Sequence, residues 1–124
     1  EERDAYVQIA ANVCERYGCK MVASIVRDIR SVEDSDWMSL IYADDKANFS
    51  SIHHVHVLEG VAAGDAYGAG LIHALLHGFD LDRTGEYAIA ASVLKLTVRG
   101  DSNLVSVGEI ESVAKSGSAL RVSR

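Results

Sequence analysis

Of the eleven residues from Gly60 to Gly70 (GVAAGDAYGAG), four are glycine and four alanine, and the one charge among them is Asp65. Backbone this bare is used where something must come close, either a packed neighbour or a bound ligand. The residues after Asp65 are small or apolar, so the segment reads as the start of a helix. A helix start adds partial positive charge to its unpaired N–H groups and can hold an anion such as phosphate. Asp65 then has two readings. Its carboxylate caps the helix by accepting a bond from the first turn, or it faces the anion's partner and takes a proton from it.

The rest of the chain alternates helix and strand. Tyr6, Ile9, Ala10, Val13 and Tyr17 recur at spacings of three and four and predict a helix over residues 2–17, stopped by Gly18. Met21 to Val26 is a short apolar run suited to a buried strand, and Arg27 to Asp36 reads as a polar loop. Strands near Trp37 to Ala43 and Ala47 to Ile52 flank Asp44-Asp45-Lys46 as a hairpin, and His56 to Leu58 should end a strand leading into the motif. A helix over Asp65 to Gly78 would bury Leu71, Ile72, Leu75, Leu76 and Phe79 and turn His73 and His77 away. A second, over Thr84 to Val98, is apolar nearly all round, with Lys95 expected to snorkel outward. A third covers Val107 to Lys115, and Leu120 to Ser123 reads as an edge strand. The expectation is one α/β domain over residues 1–124, with helices packed on a small sheet.

Glu59-Gly60-Val61-Ala62-Ala63-Gly64-Asp65 resembles the D-T-x-G-A-G-D signature of the ribokinase-like (PfkB) carbohydrate kinases. Asp65-Ala66-Tyr67-Gly68-Ala69-Gly70 is similar to the D-A-F-x-A-G that follows it there. Leu71 to Asp80, Ala88 to Ser106 and Val107 to Lys115 fall in the family's order. Cys19 to Asp28 and Asp36 to Asp45 are worded most like the 2-keto-3-deoxygluconate kinase branch. The resemblance implies a Rossmann-like, ribokinase-type fold, of which this chain looks like the carboxy-terminal portion. The amino-terminal region with the sugar-binding lid and the N-x-x-E motif associated with magnesium has no counterpart here.

What the resemblance implies chemically is transfer of the γ-phosphoryl group of ATP to a hydroxyl of a sugar acid, with Mg2+ as the family's metal. Asp65 would be the base, the backbone at Ala62, Ala63, Gly64 and Asp65 the anion hole, and Ile89, Ser92 and Val93 the wall of the adenine pocket. The alternative is a catalytically inactive fragment that keeps an anion site or self-associates as a dimer or domain-swapped form, since a truncated sheet has a bare edge. Three departures bear on the choice. Ala62 stands where the family has glycine, Glu59 replaces its Asp, and Gly60 replaces its Thr or Arg. Alanine is tolerated at position 62 if φ is negative there and strained if φ is positive.

Composition excludes other classes. Twelve basic against eighteen acidic residues give a formal charge of -6, and no Lys/Arg stripe offsets it, so nucleic acid is not an expected partner. No run approaches the ~18 apolar residues of a membrane span. Cys14 and Cys19 are expected to be reduced thiols of a cytoplasmic protein. The start Glu1-Glu2-Arg3-Asp4, without an initiator Met or a signal-like segment, suggests a chain that begins inside something larger. Arg27 could reach a phosphate from a strand end, or be an ordinary solvated arginine. His53, His54, His56, His73 and His77 are read as solvent-facing, the pair at i and i+4 lacking the Glu of a zinc-protease helix. The turn Arg99-Gly100-Asp101-Ser102-Asn103 could border a nucleotide.

Overall fold

The computed structural model describes residues 2–29, 34–57, 62–96 and 106–116. In chain order the elements are α1 (Glu2–Tyr17), β1 (Met21–Ile29), β2 (Asp34–Ala43), β3 (Lys46–Phe49), β4 (His53–His56), α2 (Ala63–Leu76), α3 (Leu81–Lys95) and α4 (Val107–Ser116). The expected α/β class, with helices on a small sheet, is what forms. Its described pairings are all antiparallel, because short connections between successive strands leave no room for a parallel crossover.

β2 is the central strand. It pairs with β1 along one edge from Asp34's neighbour Ser35 to Ala43, while β3 and β4 share its other edge, opposite residues 40–43 and 34–37 respectively. The β2–β3 turn places Asp44 and Asp45 at φ 52° and 60°, the double left-handed geometry that matches the twist of a tight hairpin. The loop expected from Arg27 to Asp36 is strand at both of its ends: β1 runs on to Ile29 and β2 begins at Asp34, with Arg27 opposite Trp37, Asp28 opposite Asp36 and Ile29 opposite Ser35.

Because β2 is covered on both sides, it is buried along almost its whole length. Met38 and Leu40 pack with Val26 and with Ala10 of α1. Trp37 packs on the opposite face with Val55, Ala63, Tyr67, Ala88, Ile89, Val93 and Leu96. A further cluster, Ala74, Tyr87, Ala90, Ala91, Leu94, Ile110 and Val113, joins α2, α3 and α4. α3 is thus enclosed on several sides, as its all-round apolar pattern implies. Lys95 corrects the snorkelling expectation: it is 0% exposed, because the last turn of α3 is inside the fold rather than at its rim.

The apolar face predicted for α2 is also corrected. Ile72, Leu75 and Leu76 are exposed at 61%, 46% and 79%, and the buried residues are Ala63, Ala66, Tyr67, Gly70 and Ala74. Small side chains let α2 lie closer to α3 than leucines would. A Cβ built at Gly70 would stand 3.0 Å from the Ala88 Cα and 3.2 Å from the Ala91 Cβ. The helix begins two residues earlier than expected, at Ala63, and ends in a left-handed Gly78 (φ 71°) with Phe79 N–H donating to Ala74 O at 3.0 Å and Gly78 N–H to Leu75 O at 3.2 Å, a Schellman ending. The residues Leu58, Val98 and Leu120 to Ser123, named above as strand or helix ends, lie outside the described residues.

Candidate functional site

Two of the helices start with side-chain caps. Asp80 accepts from Arg83 N–H at 2.8 Å and opens α3. Ser106 and Glu109 form a reciprocal box at α4, Glu109 N–H to Ser106 Oγ at 3.2 Å and Ser106 N–H to Glu109 Oε1 at 3.0 Å. α2 does not share this arrangement. Its N-cap residue is Ala62, with no side-chain cap bond, and the first bond inside the helix runs from Ala66 N–H to Ala62 O at 3.0 Å. The N–H groups of Ala63, Gly64 and Asp65 therefore precede any carbonyl the helix could offer them. Gly64 is exposed, and a Cβ built there meets nothing within 4 Å. Unpaired N–H groups at a helix start are of the kind that can hold an anion.

Asp65 is the third residue of α2 and exposed. It makes no cap bond, so the capping reading fails. Among the described residues no hydrogen bond holds its carboxylate, which belongs to the same first turn as these N–H groups. The question raised by Ala62 is also answered: its φ is 64° and ψ 14°, left-handed. An alanine holds the conformation for which glycine is suited, at a steric cost of about 1–2 kcal/mol.

The first turn is anchored from beneath by Tyr67, which sequence reasoning did not single out. The Tyr67 hydroxyl donates to Ser24 O at 3.3 Å, and its oxygen lies 2.6 Å from Ser39 Oγ. These bonds tie α2 to β1 and β2 across sequence separations of 43 and 28 residues. Burial pushes the phenol up from its ordinary range, with the Ser39 and Ser24 bonds acting against that rise. The only sequence signal was a tyrosine where the resembled motif has phenylalanine.

Ile89, Ser92 and Val93 line up on α3 directly behind this turn. All three are 0% exposed, and Ile89 and Val93 pack with Ala63 and Tyr67. They offer no open surface to a ligand. Ser92 Oγ is enclosed without a hydrogen-bond partner among the described residues. Arg27 is in strand rather than loop, with its guanidinium 5.5 Å from the centre of the Trp37 ring. It lines an open groove of about 500 Å³ with Arg3, Tyr6, Asp28, Asp36 and Trp37; Asp65 is not part of that groove.

The histidines are not uniformly solvent-facing. His53 is 0% exposed, neither ring nitrogen has a hydrogen-bond partner among the described residues, and burial pushes it below its ordinary value of 6.5. The period-two burial of β4 explains it, since His53 and Val55 share the inner face and His54 and His56 the outer. His54 lies between two carboxylates, Nε2 2.9 Å from Asp34 and Nδ1 2.8 Å from Asp36. His73 stacks on Tyr87 at 4.9 Å and on His77 at 4.1 Å. Among the described residues no group of three or more His, Cys, Asp or Glu could hold a metal ion. Glu59, Gly60, Val61 and the turn Arg99 to Asn103 lie outside them.

A structure of 2-dehydro-3-deoxygluconokinase from Thermotoga maritima superposes with a TM-score of 0.87 at 35% identity, covering 91% of this chain and 34% of that one. A PfkB family carbohydrate kinase from Listeria grayi matches with a TM-score of 0.81 at 22% identity, over 85% of this chain and 33% of that one. A candidate 2-keto-3-deoxygluconate kinase from Enterococcus faecalis gives 0.78 at 22%, over 88% and 32%. The last two carry the fold alone. The chain spans about a third of the length of each of these structures. Residues 30–107 match the model of the pfkB family carbohydrate kinases. With residues 30–107, more than half of its length, matched by that family's model and 35% identity over 91% of the chain to one of its kinases, the chain belongs to the pfkB family of carbohydrate kinases.

Proposed function

We propose that this chain is the phosphoryl-transfer part of a sugar kinase that phosphorylates a sugar acid of the 2-keto-3-deoxygluconate type. The observation that carries it is the bare start of α2, with three open N–H groups, a Gly64 that blocks nothing, and an exposed Asp65 beside them. The 35% identity to the Thermotoga maritima enzyme over 91% of this chain supports the substrate class. ATP would supply the γ-phosphoryl group. The N–H groups of Ala63, Gly64 and Asp65 hold the charge that spreads over the transferred oxygens, the kind of fixed-dipole stabilisation on which phosphoryl transfer depends. The Asp65 carboxylate accepts the proton of the attacking hydroxyl, a step that typically contributes about 10²- to 10⁴-fold. Ile89, Ser92 and Val93 act from inside, as the packed backing of the adenine pocket.

The N–H groups of the first turn suit a phosphate. Without a cluster of ligands among the described residues, no step is assigned to Mg2+. The reading carries a cytoplasmic setting and small-molecule partners, and no helix among the described residues is long and apolar enough to cross a membrane.

ATP binding measured by calorimetry with magnesium present tests the site. Ala62→Gly should tighten binding and Gly64→Ala, whose Cβ would stand in the anion's place, should abolish it while the chain stays folded. Asp65→Asn should keep nucleotide binding. Equal affinities for the chain and its Gly64→Ala form would refute the anion site. A second reading, an inactive self-associating fragment, is favoured by one observation, the exposed Ile72, Leu75 and Leu76 of α2. Sedimentation of the chain and of its Leu76→Lys form decides it: a dimer lost in the variant supports association through this face, and a monomer in both rules it out.

A further inference from the structure

α1 ends at Tyr17, and Gly18 after it is left-handed at φ 64°. Five residues along a continuous helix amount to a turn of about 140° beyond one full revolution, so Cys14 and Cys19 would face apart if α1 ran on. The left-handed glycine instead folds the chain back over the last helical turn. Cys19 Sγ comes to lie 3.9 Å from the carbonyl oxygen of Val13, the residue before Cys14, so the fold brings the Cys19 side chain back to the turn that carries Cys14. Cys19 is exposed and Cys14 half-buried. Met21, two residues after Cys19, pairs with Ala43 at the β2–β3 turn, so the cysteines lie toward the end of β2 opposite the one that pairs with β4.

We propose that Cys14 and Cys19 form a dithiol modification site that closes to an intramolecular disulfide by exchange with a low-molecular-weight disulfide such as oxidised glutathione. The Cys19 thiolate, the more accessible of the two, attacks one sulfur of the reagent. The reagent's S–S bond breaks, one glutathione leaves as thiolate and takes up the proton that Cys19 gave to solvent. Cys14 then loses its proton and attacks Cys19 Sγ in the mixed disulfide, expelling the second glutathione. Two protein thiols are oxidised and one glutathione disulfide is reduced to two thiols. The order follows from the surroundings: partial burial first, and then the neighbouring Cys19, hold the Cys14 thiol up. Capping Cys19 removes its share of that restraint and frees Cys14 for the second step. The product fastens the end of α1 to the start of β1 without touching Asp65.

The test holds the folded chain in glutathione buffers of graded redox poise, quenches with acid, and reads intact mass for the wild type and for Cys14→Ser and Cys19→Ser. The wild type should lose two hydrogen atoms and regain them in excess reduced glutathione. Each single-cysteine variant should instead gain one glutathione, Cys19→Ser several-fold more slowly. A wild type that accumulates glutathione without losing hydrogens, forms disulfide-linked dimers, or stays reduced in buffers that modify the variants would overturn the proposal, as would a full set of unreactive thiols.

Discussion

Replacing Ala62 by glycine should stabilise this chain, although glycine ordinarily loses more conformational freedom on folding than alanine. The structure sets the terms. Ala62 sits at φ 64° and ψ 14°, where a Cβ crowds the following carbonyl and costs about 1–2 kcal/mol. Glycine pays no such cost but has more freedom to lose from the unfolded chain, about 0.4–1 kcal/mol. No cap bond is at stake, since Ala62 makes none, and glycine is the better N-cap residue in any case. The difference is about 1 kcal/mol in favour of Ala62→Gly, or about 3–6 °C in the thermal midpoint of a domain this size.

Urea unfolding is the assay: the midpoint should rise with the slope unchanged, the mark of a change in stability rather than in compactness. Ala62→Val, β-branched and less tolerant of positive φ, should move the midpoint the other way. Should Ala62→Gly lower the midpoint, or both variants leave it alone, the backbone at residue 62 is not strained and the argument is wrong. The same strain bears on chemistry, because the conformation of residue 62 aims the N–H groups of the first turn.

The other expectations also concern single contacts. Gly70→Ala places a methyl 3.0 Å from the Ala88 Cα, so α2 must shift off α3, and urea midpoints should report a loss of about 1–3 kcal/mol. Tyr67→Phe leaves Ser39 Oγ without its 2.6 Å partner in a buried place and should cost about 1–3 kcal/mol. Adding Ser39→Ala should recover part of that, and a double-mutant cycle showing no coupling would mean that the bond contributes nothing. His53 is buried with its imidazole below the ordinary value, so the unfolded chain binds the extra proton first. Stability is then fully present above about pH 6.5 and lost as pH falls from there toward the lowered folded value. In His53→Leu the urea midpoint should be flatter across that window, and an unchanged pH slope would clear His53 of the effect.

What could be read from the sequence and what could not divide along physical lines. Helix and strand identity came through wherever one periodicity dominated: α1 over residues 2–17, the strand after Gly18, the tight turn at Asp44 and Asp45, and the α3 helix that is buried all round. The differences share a cause, which is that hydrophobicity is not a measure of burial. In α2 the large side chains Ile72, Leu75 and Leu76 made the more apolar stripe, yet the stripe of Ala63, Ala66, Gly70 and Ala74 is the one inside. A close approach of two backbones buries more contact per residue than a looser packing of leucines, and no hydropathy pattern registers it. Lys95 and His53 err in the opposite sense, polar residues enclosed because the elements carrying them are covered on the relevant face.

The site shows the same division. The uncapped start of α2 at Ala62, Gly64 and Asp65 is a local feature, written in consecutive residues. What holds that start in place is not local. Ser24, Ser39 and Tyr67 meet only after β1, β2 and α2 have assembled, and serines in strands carry no mark that separates a structural anchor from a filler. The tyrosine hydroxyl makes the start of α2 part of the sheet, so the strain at Ala62 cannot relax by swinging the helix away. A chain with phenylalanine at 67 would let α2 tilt and ease residue 62. Ala62→Gly should therefore gain less stability in a Tyr67→Phe background than in the wild type, and equal gains in the two backgrounds would separate the anchor from the strain.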